Sequence, residues 1–239
     1  MTVLPRDPSA RTSLRDEAIG ILQAALIVGE LRPAVVYSVP VLAAQMGMSA
    51  TPVREAMLDL TKEGLVEPMR NKGFRVIERS ARELDELTDL RAMLEIPTVR
   101  RIADRGISAA ERRRLAGLAT RIERAAAEGD LIAHHRADLD FHDTLLALGG
   151  NDTLVALVRS LRIRSRLYGQ PRLAEAGALT PSAHEHAELV DLLDRRAGPG
   201  AETLMRQHIG HVRGAWATGP GEHRMHSGPS VRPPEPGSP

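Results

Sequence analysis

The sequence predicts a mainly α protein in two parts: a small unit of three helices closed by a β-hairpin, then an all-α helical bundle. Three observations carry this. Apolar residues recur at the spacing of amphipathic helices along most of the chain. One stretch, "LVEPMRNKGFRVIE" from Leu65 to Glu78, has two β-type runs flanking a polar, glycine-containing turn. Aromatic residues make up 2% of the 239 residues, too few for a β-sandwich, whose strands favour aromatic and β-branched side chains.

From Ser13 to Gly29, "SLRDEAIGILQAALIVG" sets Leu14, Ala18, Ile21, Leu22 and Ala25 on one helical face and ends in a glycine stop. "ELRPAVVYSV" reads as a turn at Pro33 and a short extended piece. Two short helices follow, "PVLAAQMG" and "TPVREAMLDLTKEG", separated by "MS". With the hairpin and its turn at Asn71 to Gly73, this order makes an N-terminal winged helix-turn-helix, residues 11–78. Beyond Glu78 only long helices are predicted: Ala81 to Arg105, Ser108 to Glu128, Asp130 to Leu148, Asp152 to Tyr168, Ser182 to Arg196 and Gly200 to Ala217. Gly106, Gly129, "GGN", "GQPRLAEAGALTP" and "AGPG" mark their connections. Pro97 removes a backbone donor and is expected to kink or divide the first of them. These helices form the second unit, residues 81–217. The tail, residues 219–239, carries too little apolar area to offset its ordering entropy and is expected to be disordered.

Charge narrows the function classes. With 32 Lys and Arg against 31 Asp and Glu, no bulk field draws the chain toward nucleic acid or membrane, so any such binding must be local. The absence of Cys excludes disulfides, thiolate metal sites and cysteine nucleophiles, leaving oxygen and imidazole chemistry. No signal-peptide core and no apolar run of roughly 18–20 residues is present, so a cytoplasmic protein without membrane partners is expected.

The phrase "MSATPVREAMLDLTKEGLVEPMRNKGFRV" holds the first functional constellation. Ser49 or Thr51 can cap a helix whose first turn tolerates Pro52, since first-turn amides have no intrahelical acceptor. Val53, Met57 and Leu60 share the inner face, which turns Ala50, Thr51 and Arg54 outward at the N-terminal end. In a helix-turn-helix that end enters the major groove of double-stranded DNA. Arg54 can donate twice to guanine O6 and N7, while Ser49 and Thr51 can donate to phosphate. The hairpin adds Arg70, Lys72 and Arg75 around Gly73, a basic wing suited to backbone or minor-groove contacts. The plain alternative is a solvated helical subdomain, because the region is also rich in Asp and Glu. The ordered set "S-x-TPVREA", "EGLV" and "NKGFRV" resembles the winged-helix domain of the GntR family of bacterial transcription regulators. That resemblance implies a homodimer reading an inverted repeat in operator DNA. Two positions depart from the family: Ala50 stands where many members carry a DNA-contacting Arg, and Ala34 replaces a usual glycine in the turn after Pro33.

"ADLDFHDTLL" puts Asp138 and His142 one turn apart on a face that begins and ends apolar. "SAHEHAELVDLL" places His186 with Leu189, Val190 and Leu193, and "ETLMRQHIGHVRG" places His208 with Leu204, Met205 and Val212. A single buried imidazole is more often hydrogen-bonded to a neighbour than bound to metal. Three imidazoles and a carboxylate from three helices favour one ion, which also relieves the cost of burying the carboxylate. "RAMLE", "DLDFHDTLLALGGN", "EHAELVDLL" and "MRQHI" resemble the all-helical ligand-binding domain of the FadR subfamily, called FCD. In the metal-binding branch of that subfamily, an Asp-x-x-x-His helix and two later histidines coordinate a divalent ion. The matching residues are Asp138, His142, His186 and His208.

Such a donor set suits Zn²⁺, Ni²⁺, Fe²⁺ or Mn²⁺. Coordination positions left open would take a small carboxylate effector, and a nearby arginine would clamp its other end. Arg91, in "R-x-x-L-E", is the first candidate, with Arg162 and Arg166 behind it. The alternative for these arginines is a surface ion pair, such as Arg91 with Glu95. His135, His184 and His211 are expected beside the site or in solvent. Three function classes follow: an effector-responsive transcription regulator, a metal sensor without organic ligand, and a helical metalloenzyme in which Glu185 is the conceivable base. The regulator is the expectation, with no enzymatic activity.

Overall fold

The computed structural model describes residues 13–166, 177 and 179–217. Ser13 opens α1 (Leu14–Ile27) with a capping box, its hydroxyl accepting from the Asp16 amide while Asp16 accepts from the Ser13 amide. The buried face of α1 is Ala18, Leu22, Leu26 and Ile27, whereas Leu14 and Ile21, expected inside, are 60% and 41% exposed. The stripe advances by four residues from Ala18, which leaves Ile21 on its flank.

β1 (Val36–Tyr37), α2 (Val39–Gln45), α3 (Ala50–Lys62), β2 (Val66–Met69) and β3 (Gly73–Val76) complete the small unit. Its wing has three antiparallel strands in the order β1-β3-β2, one more than the hairpin predicted. The extended piece after Pro33 supplies the extra strand, pairing Tyr37 with Phe74. Gly73 permits this approach: its φ is +120°, and a Cβ there would lie 2.1 Å from the Tyr37 carbonyl oxygen. Ala34 also sits at positive φ, 63°, where its amide donates to the Val76 carbonyl across 2.9 Å.

The larger unit runs α4 (Ala81–Arg105), α5 (Ala109–Glu128), α6 (Leu131–Ala147), α7 (Asp152–Arg166), α8 (Leu179–Asp194) and α9 (Gly198–Ala217). Ser80 and Ser108 open α4 and α5 with capping boxes, and Gly129 ends α5 in the left-handed region. Pro97 does not divide α4. Its ring lies on the exposed face, where water can take the carbonyl it releases one turn back. α8 and α9 begin earlier than expected because Pro181 and Pro199 occupy first turns, where a missing amide donor costs nothing. The expected end of α7 at Tyr168 and the expected tail lie outside the described residues.

α4 packs along α9 and α7, and α5 packs on α6 and α8. Their core includes Val99, Leu115, Ile122, Phe141, Leu145, Leu193 and Met205. The core of the small unit, around Leu22, Met57, Leu60 and Phe74, also takes in Leu139 from α6 and Ile163 from α7. Among the described residues, no helix is long and apolar enough to cross a membrane.

Candidate functional site

The polar residues of α6 do not face water. Asp138 and His142 are fully buried, and His186 from α8 and His208 from α9 are 1% and 3% exposed. One ligand atom from each of the four lies within 4.8 Å of every other. That spacing is a little wider than donors about 2.0–2.2 Å from a common ion require. The helical registers do this: Asp138 and His142 stack one turn apart, and His186 and His208 extend the apolar stripes of α8 and α9 into the same space. Phe141 closes one side, edge-on to His186 with ring centroids 4.8 Å apart.

Hydrogen bonds orient two of the imidazoles. Nδ1 of His186 lies 3.1 Å from the Ala183 carbonyl and Nδ1 of His208 lies 2.9 Å from Glu185 Oε2. A carbonyl and a carboxylate only accept, so each Nδ1 carries the hydrogen and each Nε2 keeps its lone pair for the cluster. Nε2 of His186 then stands 3.3 Å from Asp138 Oδ1. Two acceptors at that distance repel unless a proton or cation lies between them. Neither ring nitrogen of His142 has a hydrogen-bond partner among the described residues. Burial, then the charge of Arg162, holds its pKa well below the usual histidine value, so the ring is neutral and able to ligate. The donor set fits a divalent ion.

Two buried arginines complete the cluster. Arg162 donates from Nη1 to Glu95 Oε2 at 2.7 Å and from Nη2 to Asp138 Oδ2 at 2.9 Å, with all three side chains fully buried. Arg91 donates from Nε to Glu95 Oε1 at 2.7 Å, so the expected surface pair is a buried one. Nη1 and Nη2 of Arg91 are buried without a hydrogen-bond partner among the described residues. The two guanidiniums respond oppositely. Burial, joined by the charge of Arg162, outweighs the carboxylates at Arg91 and lowers its pKa, whereas Glu95 and Asp138 together outweigh burial at Arg162 and raise it. Arg91 is therefore the under-compensated cation of the pair. Arg166 ends α7, and its side chain lies outside the described residues.

Glu95 and Glu185 support the cluster from outside it, a role that sequence reasoning did not give to either, Glu185 having been considered only as a catalytic base. Glu95 was named only as an ion-pair alternative for Arg91. Glu185 lies on a stripe of Ser182, Ala183, Glu185, His186, Leu189 and Val190 whose two-residue width was the readable signal. Of the remaining histidines, His135 is buried and borders a cavity against α1, away from the cluster. His184 is exposed beside Glu123, and His211 lies 3.1 Å from Glu185.

In the small unit, Ser49 occupies the N-cap position of α3, but its side chain makes no cap hydrogen bond. Ala50, Thr51 and Arg54 are exposed, while Val53, Met57 and Leu60 are buried as expected. Arg70 and Lys72 are exposed at the wing tip. Arg75 is not free: its Nε donates to Glu67 across the strand pair at 2.7 Å. Gly73 serves the approach of β1 to β3.

Residues 86–211 match the FCD domain, and residues 14–76 match the bacterial regulatory proteins of the gntR family. The chain is 33% identical to the "Nta operon transcriptional regulator" of Aminobacter aminovorans over 70% of its own length and 78% of that protein. It is 30% identical to the "Probable D-xylose utilization operon transcriptional repressor" of Paenarthrobacter nicotinovorans, covering 70% and 73% of the two chains. The fold is shared with E. coli McbR/YncC, at a TM-score of 0.72 and 24% identity over 87% of this chain and 98% of that one.

Proposed function

The chain belongs to the gntR family of bacterial regulatory proteins and carries an FCD domain, so it is a transcriptional regulator, and we propose that a small organic acid held at a divalent ion controls its operator affinity. Asp138, His142, His186 and His208 would hold the ion. When bound, the ion supplies a Lewis-acidic anchor for a carboxylate oxygen. The observation that carries the reading is the orientation of the imidazoles: Ala183 and Glu185 hold the Nδ1 hydrogens of His186 and His208, keeping both Nε2 lone pairs for the cluster. Arg91 would grip the far end of the effector through its two buried Nη groups. Arg162 is better suited to hold Asp138 in place than to bind the ligand, since both its Nη groups already meet carboxylates. Charge favours an anionic ligand. The two guanidiniums balance Glu95 and Asp138, and a divalent ion adds more positive charge than Glu185 offsets.

At the DNA, Arg54 would read a base edge, with Ser49, Thr51, Arg70 and Lys72 on the backbone and Ala50 leaving one contact of the family unfilled. A repressor is the natural reading, as in the D-xylose relative's name. The reading includes a homodimer. α4 exposes a stripe of Glu86, Leu90, Met93, Pro97 and Arg101, with Leu90 and Met93 48% and 70% exposed. Laid antiparallel on its copy about a two-fold axis near Met93, the stripe sets Leu90 against Pro97 and Glu86 against Arg101.

Metal content of tag-free protein, measured by plasma mass spectrometry beside His142→Ala, tests the site. About one ion per chain, lost in the variant, is expected for a four-ligand centre. No ion in either protein after incubation with Zn²⁺ or Ni²⁺ overturns the metal reading. The metal-sensor alternative requires chelation alone to change DNA affinity. The enzyme alternative loses its base, because Glu185 is bonded to His208 and Gln207.

A further inference from the structure

Arg162 and Arg164 stand two residues apart on α7 and reach different functional units. Arg162 donates to Glu95 and Asp138 inside the buried cluster. Arg164, about 200° further round the helix, donates from Nε to the Glu63 carbonyl at 2.9 Å. Glu63 is the C-cap of α3, the helix whose other end carries Arg54. Gly64 follows at φ +71°, and a Cβ there would sit 3.2 Å from Nε of Arg164 and 3.5 Å from Nη2 of Arg79. Glycine thus lets two guanidiniums close onto this turn, where Arg79 also donates to the Gly64 carbonyl at 2.7 Å. Both charges lie at the negative end of the α3 dipole.

α6 repeats the arrangement. Asp138 belongs to the cluster, and the next residue, Leu139, is buried in the core of the winged helix, as Ile163 is beside Arg162. On a helix, adjacent side chains cannot move independently of the backbone they share, so a shift of either helix acts at both places. Beside this seam, a cavity of about 270 Å³ is bordered by Gly20 and Gln23 of α1, Glu63, Arg136 of α6 and Arg159 of α7.

We infer that α7, through the Arg164 contact to the end of α3, is the route by which occupancy of the Asp138 cluster alters DNA binding. The inference rests on the cluster being the effector site. Contiguity gives the route, and linkage gives its test: an ion that changes DNA affinity must have its own affinity changed by DNA to the same factor.

The experiment uses full-length protein, Zn²⁺ as the probe, and a duplex that the wild type selects from a random-sequence pool. Hydrogen exchange at the amides of Glu63, Gly64 and Leu65 is followed together with duplex affinity. In the wild type, Zn²⁺ is expected to change exchange at these amides and shift duplex affinity by roughly 5–150-fold. In Arg164→Ala, both responses should be lost, the duplex affinities with and without Zn²⁺ becoming equal, with Zn²⁺ stoichiometry and metal-free duplex affinity retained; Arg164→Lys, which keeps a cationic donor, should recover part of the response. A full response in Arg164→Ala overturns the route. So does a wild type that binds Zn²⁺ and DNA yet shows no response. If the wild type binds no ion, the metal reading falls separately, and Asp138→Asn becomes the probe. Its effect on duplex affinity must then disappear in the Arg164→Ala background, and persistence there overturns the route.

Discussion

Nη2 of Arg162 donates to Oδ2 of Asp138 across 2.9 Å, joining α7 to α6 through two side chains that no solvent reaches. The other oxygen of the same carboxylate faces His186, so one residue is held from behind and turns its second oxygen to the histidines. Replacing Arg162 with Met should leave Asp138 as a buried charge without its arginine, and Glu95 with Arg91 alone. A loss of about 3–5 kcal/mol in unfolding free energy is expected from breaking such a pair. Urea denaturation monitored by circular dichroism measures it, and a loss below about 1 kcal/mol, the range of exposed ion pairs, would contradict the buried network.

Glu185 orients His208 without reaching the cluster itself. Glu185→Ala should keep the one-ion stoichiometry while lowering metal affinity about 10–100-fold, the usual cost of losing a histidine's outer hydrogen-bond partner. Competition against a chromogenic chelator reads this directly. Unchanged affinity would mean that His208 needs no support from the carboxylate.

Arg54 and Lys72 should separate base reading from backbone attraction. Arg54→Ala is expected to cost about 1–3 kcal/mol on a selected duplex and to relax discrimination at one base pair. Lys72→Ala should weaken binding to all sequences alike and reduce the slope of log affinity against log salt by about 1. Salt titrations on specific and scrambled duplexes distinguish the two, and interchange of these behaviours would reverse the roles of helix and wing.

Ala34 holds a left-handed backbone at φ 63°, a conformation in which any Cβ comes close to the following carbonyl oxygen. Ala34→Gly should stabilise the protein by about 0.5–1 kcal/mol, the left-handed penalty less the extra chain entropy of glycine. Thermal unfolding would show an upward shift. A downward shift would mean that the turn after Pro33 carries no strain.

The sequence by itself determined the two-part architecture and the four cluster residues, because both depend on helical periodicity. Asp138 and His142 interrupt an apolar stripe, and His186 and His208 continue two others, so their inward direction was legible at the spacing of a helical turn. Glycine and serine signals did the same for the ends of α4 and α5. Proline was the weak signal: Pro97, Pro181 and Pro199 all read as interruptions, and all sit where their missing donor is tolerated. Only the tertiary structure decided what surrounds the cluster. Arg91 and Glu95 could equally have formed a solvated pair on one helix, and their complete burial follows from how α7 brings Arg162 against them. Periodicity tells which way a side chain points along its own helix. The contacts of Arg162 with Glu95 and of Arg164 with the end of α3 span 67 and 101 residues, and depend on the angle and offset at which separate helices pack.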